Sequence, residues 1–412
     1  MKTAKKAGNP AELAPVYVIA TLDTKYDEAS FLAEAIRAEG VPATLVDVGT
    51  LNPAQGEAGI SRRAVAAFHP GGTGAVLGLN DRGQAVIAMS QALRGFIVDA
   101  QRAGSCSGVV GIGGTGGTSM IATAMRALPI GFPKLMVSTV ASGDTSPYIG
   151  TSDITMMFSV VDVAGLNRVS RRVFRNAAGA IAGMARLKPV AQEGKRAVGI
   201  TMFGVTTPCV TAVRKVLEEK GYDSLVFHAT GVGGRAMEEL AGSGLLDMVM
   251  DITTTEVADE VVGGVFPAGP ARFEVILQKQ LPYVMSVGAL DMVNFGAMNT
   301  VPEKFRGRKL HVHNSAVTLM RTTPEENVAF ARWIAGKLNA YPNSSFTLLI
   351  PEGGVSELDK PGNPFHDPAA DRALFEELER SVKQGPSRRI VRHPHHINDP
   401  QFSAALAAAA LG

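Results

Sequence analysis

One stretch of the sequence carries residue types and spacing suited to phosphate chemistry. Gly113, Gly114, Thr115, Gly116, Gly117 and Thr118 follow the apolar pair Val109 and Val110 and open a helix-like segment from Ser119 to Leu128. Four glycines in five positions let backbone amides approach a ligand without hindrance from Cβ atoms. The helix start adds the positive end of a dipole, which favours phosphate. The loop is not a Walker A sequence, since no lysine precedes the pair Thr118 and Ser119, and its spacing departs from the dinucleotide fingerprint. A cation for the phosphates must therefore come from elsewhere. Taken alone, the stretch fits a phosphate cradle or a glycine-rich turn at a sheet edge.

Three further loops are of the same kind: 203–208, 230–235 and 252–256. Their threonines stand at helix starts, where capping is the common role and phosphate or a metal-bound water the alternatives. Glu256 begins a helix, where the dipole favours a carboxylate, and is also placed to contact a ribose hydroxyl or Mg²⁺. Cys209, near a helix N-terminus, is a candidate nucleophile with no histidine close in sequence, so a buried structural thiol is the commoner reading. The pairs His311/His313 and His393/His395, with His396 adjacent, suggest a metal site or simply strand surface, because no third-ligand pattern accompanies them. Residues 352–371, rich in Gly, Pro and Asp, read as a mobile lid.

The elements that would position these groups alternate between apolar strands and amphipathic helices. Val16 to Ala20, Ala43 to Val48, Ala75 to Leu79, the run before Gly111 and Lys134 to Thr139 read as strands of a first domain, residues 1–190. Strands at 197–203, 224–228, 247–251, 283–287, 309–313 and 346–350 build a second, residues 195–412, with 188–195 as the linker. The fold class is α/β, with two Rossmann-like, doubly wound domains facing across a cleft and ligands at the carboxyl ends of the strands. The 412 residues, with 46% hydrophobic and 19% charged, suffice for full cores. A net charge of +2 argues against nonspecific nucleic-acid binding. Two cysteines and the lack of a long apolar run lead us to expect a cytoplasmic protein with no membrane association.

Several strings converge on a known family. Ala20 to Lys25, Gly113 to Ser119, Ser138 to Gly143, Tyr148 to Asp153, Gly199 to Cys209, Phe227 to Met237, Asp251 to Gly264, Ser286 to Gly296 and His396 to Asp399 are similar, in the same order, to strings of one family. They resemble the ATP-binding domain of the tomato-mosaic-virus resistance protein and its uncharacterised bacterial relatives. The resemblance implies two Rossmann-like domains with ATP between them and homo-oligomerisation. In the plant relative the unit precedes a barrel domain and recognises a viral replication protein, and this chain is expected to end before any such barrel. Carried over by motif, Lys25 supplies the missing cation, with Arg82 as a second, while Gly113 to Thr118 hold phosphates. Asp47 and Thr50 lie near the nucleoside, and Gly231, Gly233, Gly234 and Glu256 approach from the second domain. ATP with Mg²⁺ is the expected ligand, used for phosphoryl transfer to, or activation of, a small molecule. The alternatives are a non-catalytic, nucleotide-dependent interaction module and a metal-dependent hydrolase or lyase.

Overall fold

A computed structural model describes residues 13–187 and 194–412, so the expected leader and most of the expected linker lie outside the described residues. The chain divides into two compact units, Met1–Ala191 and Gln192–Gly412. In the first, β1 (Val16–Ala20) is buried at every position, as a parallel strand covered on both faces must be. It lies between β2 (Ala43–Asp47) and β3 (Gly108–Gly113), and the sheet continues through β4 (Lys134–Ser138) to β5 (Thr155–Phe158). All neighbours are parallel, in the order β2-β1-β3-β4-β5.

Alternation along β1 divides the core between the two faces. Tyr17 and Ile19 pack with the helices Arg82–Arg102 and Thr115–Met125, whereas Val16, Val18 and Ala20 pack with Tyr26–Ala38 and Arg168–Arg186. The helix Tyr26–Ala38 buries Ala29, Leu32, Ala33 and Ile36 at helical spacing, and Gly40 adopts φ +77° just beyond its end. Each fully buried leucine or isoleucine contributes about 1.5–3 kcal/mol relative to exposure.

The second unit repeats this plan. Its parallel sheet comprises β6 (Ala197–Met202), β7 (Asp223–His228), β8 (Met248–Thr253) and β9 (Tyr283–Gly288), extended by two later strands. Between β9 and those strands the chain makes an antiparallel sheet of β10 (Met292–Phe295), β11 (Leu310–Asn314) and β12 (Val317–Arg321), with β12 central. It then adds β13 (Phe346–Pro351) and β14 (Arg388–His393), giving β14-β13-β9-β8-β6-β7 in the main sheet. Both units are thus α/β with Rossmann-like parallel sheets, as expected. Among the described residues no helix is long and apolar enough to cross a membrane.

Three local expectations give way. Residues 75–79 are not a strand: Gly74–Leu77 is a short helix whose Val76 packs into the core, because a short apolar run has no period to distinguish the two states. The fifth strand is instead Thr155–Phe158, at the sheet edge. The supposed lid at 352–371 is anchored: Val355, Ser356, Asp359 and Phe365 are buried, and the Arg321 Nε donates to the Phe365 carbonyl at 2.7 Å.

Candidate functional site

The strand order creates a crevice in the first unit. From β1 the chain steps outward to β2 and then returns across β1 to β3, so connections leave the carboxyl ends of β1 and β3 toward opposite faces. A cavity of about 350 Å³ opens there, lined by Thr21, Asp23, Thr24 and Lys25 after β1, Thr50 and Leu51 after β2, Gly113 to Gly117 after β3, Arg82 and Val86, Met120, and Asp162 after β5. Of the residues expected at a nucleotide site, Lys25, Thr50, Arg82, Gly113, Gly114, Thr115, Gly116 and Gly117 come together.

Each wall has a local cause. After β1 the amides of Thr24 and Lys25 donate to the Thr21 carbonyl at 3.0 and 2.9 Å, folding a tight turn that presents Lys25 at the start of the next helix. Asp81 caps the helix Arg82–Arg102 by accepting from the Gln84 amide at 2.7 Å, which sets Arg82 at its first position. The helix Thr115–Met125 begins after Gly114 with no side-chain cap. A Cβ on Gly113 would stand 3.1 Å from the Gly117 backbone, so a side chain there would press on the tight turn from strand into helix. A Cβ on Gly116 would meet nothing within 4 Å, so packing makes no such demand there. Among the described residues neither Lys25 nor Arg82 has a carboxylate within 4.0 Å.

The other expected residues lie elsewhere. Thr118 is fully buried, its hydroxyl 2.6 Å from the Ser138 hydroxyl, so it clamps the helix to β4 and is turned away from the cavity. Asp47 is buried and accepts the amides of Leu22 at 3.1 Å and Gly49 at 2.8 Å, shaping the turns after β1 and β2. Burial raises its pKa, offset in part by those two amides, with the Asp23 charge adding to the rise. In the second unit, Glu256 is fully buried and accepts the amides of Gly231 at 2.7 Å and Gly234 at 3.1 Å, while its other oxygen takes the Arg272 Nε at 3.1 Å. A Cβ on Gly233 would strike the His228 carbonyl, which fixes that glycine for a reason internal to the loop. Glu256 and Gly231, Gly233 and Gly234 therefore form a closed network within their own unit.

Asp162 escapes the sequence reading because it follows the strand that reading missed. The run Thr155 to Phe158 followed by Ser159 and Val160 was the available signal for a carboxylate at a strand's carboxyl end. Cys209 is fully buried and burial pushes its thiol up to about 12, which holds it protonated and removes it as a nucleophile at neutral pH. His396 accepts the Asn398 amide at Nδ1 and lies 2.8 Å from the Ser356 carbonyl through Nε2, the pattern of a neutral ring, and burial lowers its pKa. His311 packs edge-on against Phe365, and His393 and His395 rings lie 5.0 Å apart. Among the described residues no three of His, Cys, Asp and Glu gather to hold a metal.

Comparison with known proteins covers both units. A model described as the N-terminal domain of uncharacterised protein family UPF0261 matches residues 14–189, and the corresponding C-terminal domain matches 195–412. A UPF0261 protein of Rhizobium meliloti (strain 1021) is 57% identical, over 96% of this chain and 98% of its own length. One from Clostridium tetani (strain Massachusetts / E88) is 44% identical, over 95% and 97% respectively. The protein of Solanum lycopersicum named ToMV resistance protein Tm-1(GCR237) is 48% identical over 95% of this chain, which spans 54% of its length.

Proposed function

The chain belongs to the UPF0261 family, and from that premise we propose that its first unit binds ATP in the cavity at the carboxyl ends of β1 and β3. The phosphates lie on the amides of Gly113 to Gly117, with Lys25 and Arg82 as counter-charges and Mg²⁺ accompanying the nucleotide. The observation that carries this reading is the meeting of two cations, unpaired among the described residues, with an uncapped glycine-rich helix start in one cavity. A lysine and an arginine without acidic partners cost nothing to recruit, because no internal ion pair must break first.

The enzyme we propose uses ATP to phosphorylate or activate a small molecule. Such chemistry needs positioning and charge neutralisation more than a protein nucleophile, which agrees with the inert Cys209. A second reading, a nucleotide-dependent interaction module without turnover, draws on the tomato relative named for ToMV resistance.

Titration calorimetry with ATP tests the site. We expect binding by the wild type and at least about tenfold weaker binding by Lys25→Ala. Equal affinity of the two proteins would remove Lys25 from the site, and failure of the wild type to bind would end the nucleotide reading. Release of ADP in the presence of candidate acids favours the enzyme; tight binding without turnover favours the module.

A further inference from the structure

One side chain on the cavity wall is held there by a strained turn that packing does not explain. β5 runs beside β4, and the pairing continues to Ser159, whose amide donates to the Ser138 carbonyl at 3.1 Å. The chain then turns within three residues: the Val161 amide donates to the Ser159 carbonyl at 2.8 Å, with Val160 between them at φ +66°. A three-residue turn of this hand is rare and strained, and a β-branched residue at positive φ is an outlier wherever it occurs. Val160 is 59% exposed, so the strain does not serve its own burial. The buried Ser159 closes the turn by donating its hydroxyl to the Val161 carbonyl at 2.7 Å, and Val163 is buried in the core shared with the helix Arg168–Arg186. Asp162, between these two fixed neighbours, is exposed and lines the cavity. Strain without a return in packing points to a residue placed for function.

The other carboxylates at this edge are engaged by the backbone. Asp47 accepts the amides of Leu22 and Gly49, and the buried Asp23 accepts those of Leu51 and Asn52. Among the described residues Asp162 has no cationic side chain within 4.0 Å. Charge along the cavity is thus divided. Lys25 follows β1 and Arg82 opens the helix that leads into β3, whereas Asp162 follows β5, two strands beyond β3 and roughly 10 Å across the sheet. A ligand that spans these positions is anionic at one end and offers hydrogen-bond donors at the other. A nucleotide has that polarity, with its sugar hydroxyls set apart from its phosphates.

We infer that Asp162 accepts the sugar hydroxyls of the bound nucleotide and makes the site selective for a ribonucleotide over its deoxy forms. This rests on the nucleotide reading above. A carboxylate has two acceptor oxygens, and the neighbouring 2′ and 3′ hydroxyls are two donors on one edge of the sugar. Dinucleotide-binding folds take the ribose on a carboxylate after the second strand. Here the carboxylate of the second strand, Asp47, already holds two amides, and β5 supplies a free one. The sugar then lies toward β5 rather than beside Thr50, and the phosphates stay with Lys25 and Arg82, away from a carboxylate that repels them.

Calorimetry with ATP, 2′-deoxy-ATP and 3′-deoxy-ATP, on the wild type and Asp162→Ala, tests this assignment. Circular dichroism checks the fold of the variant. The wild type should bind ATP about tenfold more tightly than at least one of the deoxy forms, the loss expected for a hydrogen bond to a charged acceptor. Asp162→Ala should bind ATP about tenfold more weakly than the wild type and should bind all three nucleotides alike. If the alanine variant does not fold, Asp162→Asn carries the test and should narrow the preference for ATP. A wild type that binds all three equally would overturn the inference while leaving nucleotide binding intact. A preference that survives in the variant would assign the hydroxyls to another residue and overturn it as well. An equal change in affinity for all three nucleotides, with the preference kept, would make Asp162 a mere source of charge and also overturn it. No ATP binding by the wild type would overturn both readings.

Discussion

The third strands of the two parallel sheets, β3 and β8, occupy the same place in the strand order and end in opposite ways. After β3 come glycines that line a cavity with Lys25 and Arg82. After β8 come Thr254, Thr255 and Glu256, all buried, and the Glu256 carboxylate takes the amides of Gly231 and Gly234. A carboxylate on helix-start amides is what a phosphate ligand would otherwise be. The second unit has built its anion into the chain and balanced it with Arg272, which also pairs with Asp251 at 2.7 Å and Glu238 at 2.9 Å. Topology thus supplies a crevice, and the side chains at the strand ends decide whether it receives a ligand or is filled from within.

The sharpest test of this contrast is stability. Glu256→Ala takes one of three carboxylate partners from Arg272 and leaves two buried loop amides unpaired, and should cost about 3–5 kcal/mol in urea denaturation. Lys25→Ala, with no partner to lose, should change stability by less than about 0.5 kcal/mol. Comparable losses in the two variants would erase the distinction. Glycine substitutions sharpen it further. A Cβ on Gly234 would lie 2.1 Å from Glu256 Oε2, so Gly234→Ala should destabilise by about 1–3 kcal/mol. Gly116→Ala has open space and should leave the denaturation midpoint unchanged, while ATP affinity measured by calorimetry falls.

A smaller effect separates the units by pH. In the second unit burial pushes Asp259 up to about 7, and burial together with the Asp359 charge pushes Asp371 up to about 8 against the pull of Arg321. Folded-state pKa values above the unfolded value of about 4 mean that the native state binds more protons across that interval. The stability contributed by these groups is therefore complete below pH about 4 and is lost as pH rises toward 7 to 8. Denaturation midpoints of the wild type should fall as pH rises from 5 to 8, and Asp371→Asn should flatten that slope. An unchanged slope in the variant would show that Asp371 does not carry it.

The parts of this arrangement legible in the sequence were those set by local rules. Val16 to Ala20 reads as a buried strand because it is apolar throughout, and Gly113 to Gly117 announces close backbone approach by composition alone. The edge strand Thr155–Phe158 was lost because it is half exposed and lacks a buried run, and Asp162 was lost with it. Glu256 was legible as a helix-start carboxylate, but not as a filled site, since that depends on Arg272 sixteen positions along, as well as on Gly231 and Gly234.

The internal carboxylate of the second unit has a consequence for how the protein responds to its surroundings. A fold that carries its own anion has a stability independent of ligand concentration. A fold that borrows one gains RT ln(1 + [L]/Kd), about 2.7 kcal/mol when free ligand stands a hundredfold above its dissociation constant. By this arithmetic the unit closed by Glu256 is a constant of the molecule. On the proposed nucleotide reading, the unit bearing Lys25 and Arg82 would be a variable, firm when nucleotide is plentiful and looser when it is scarce.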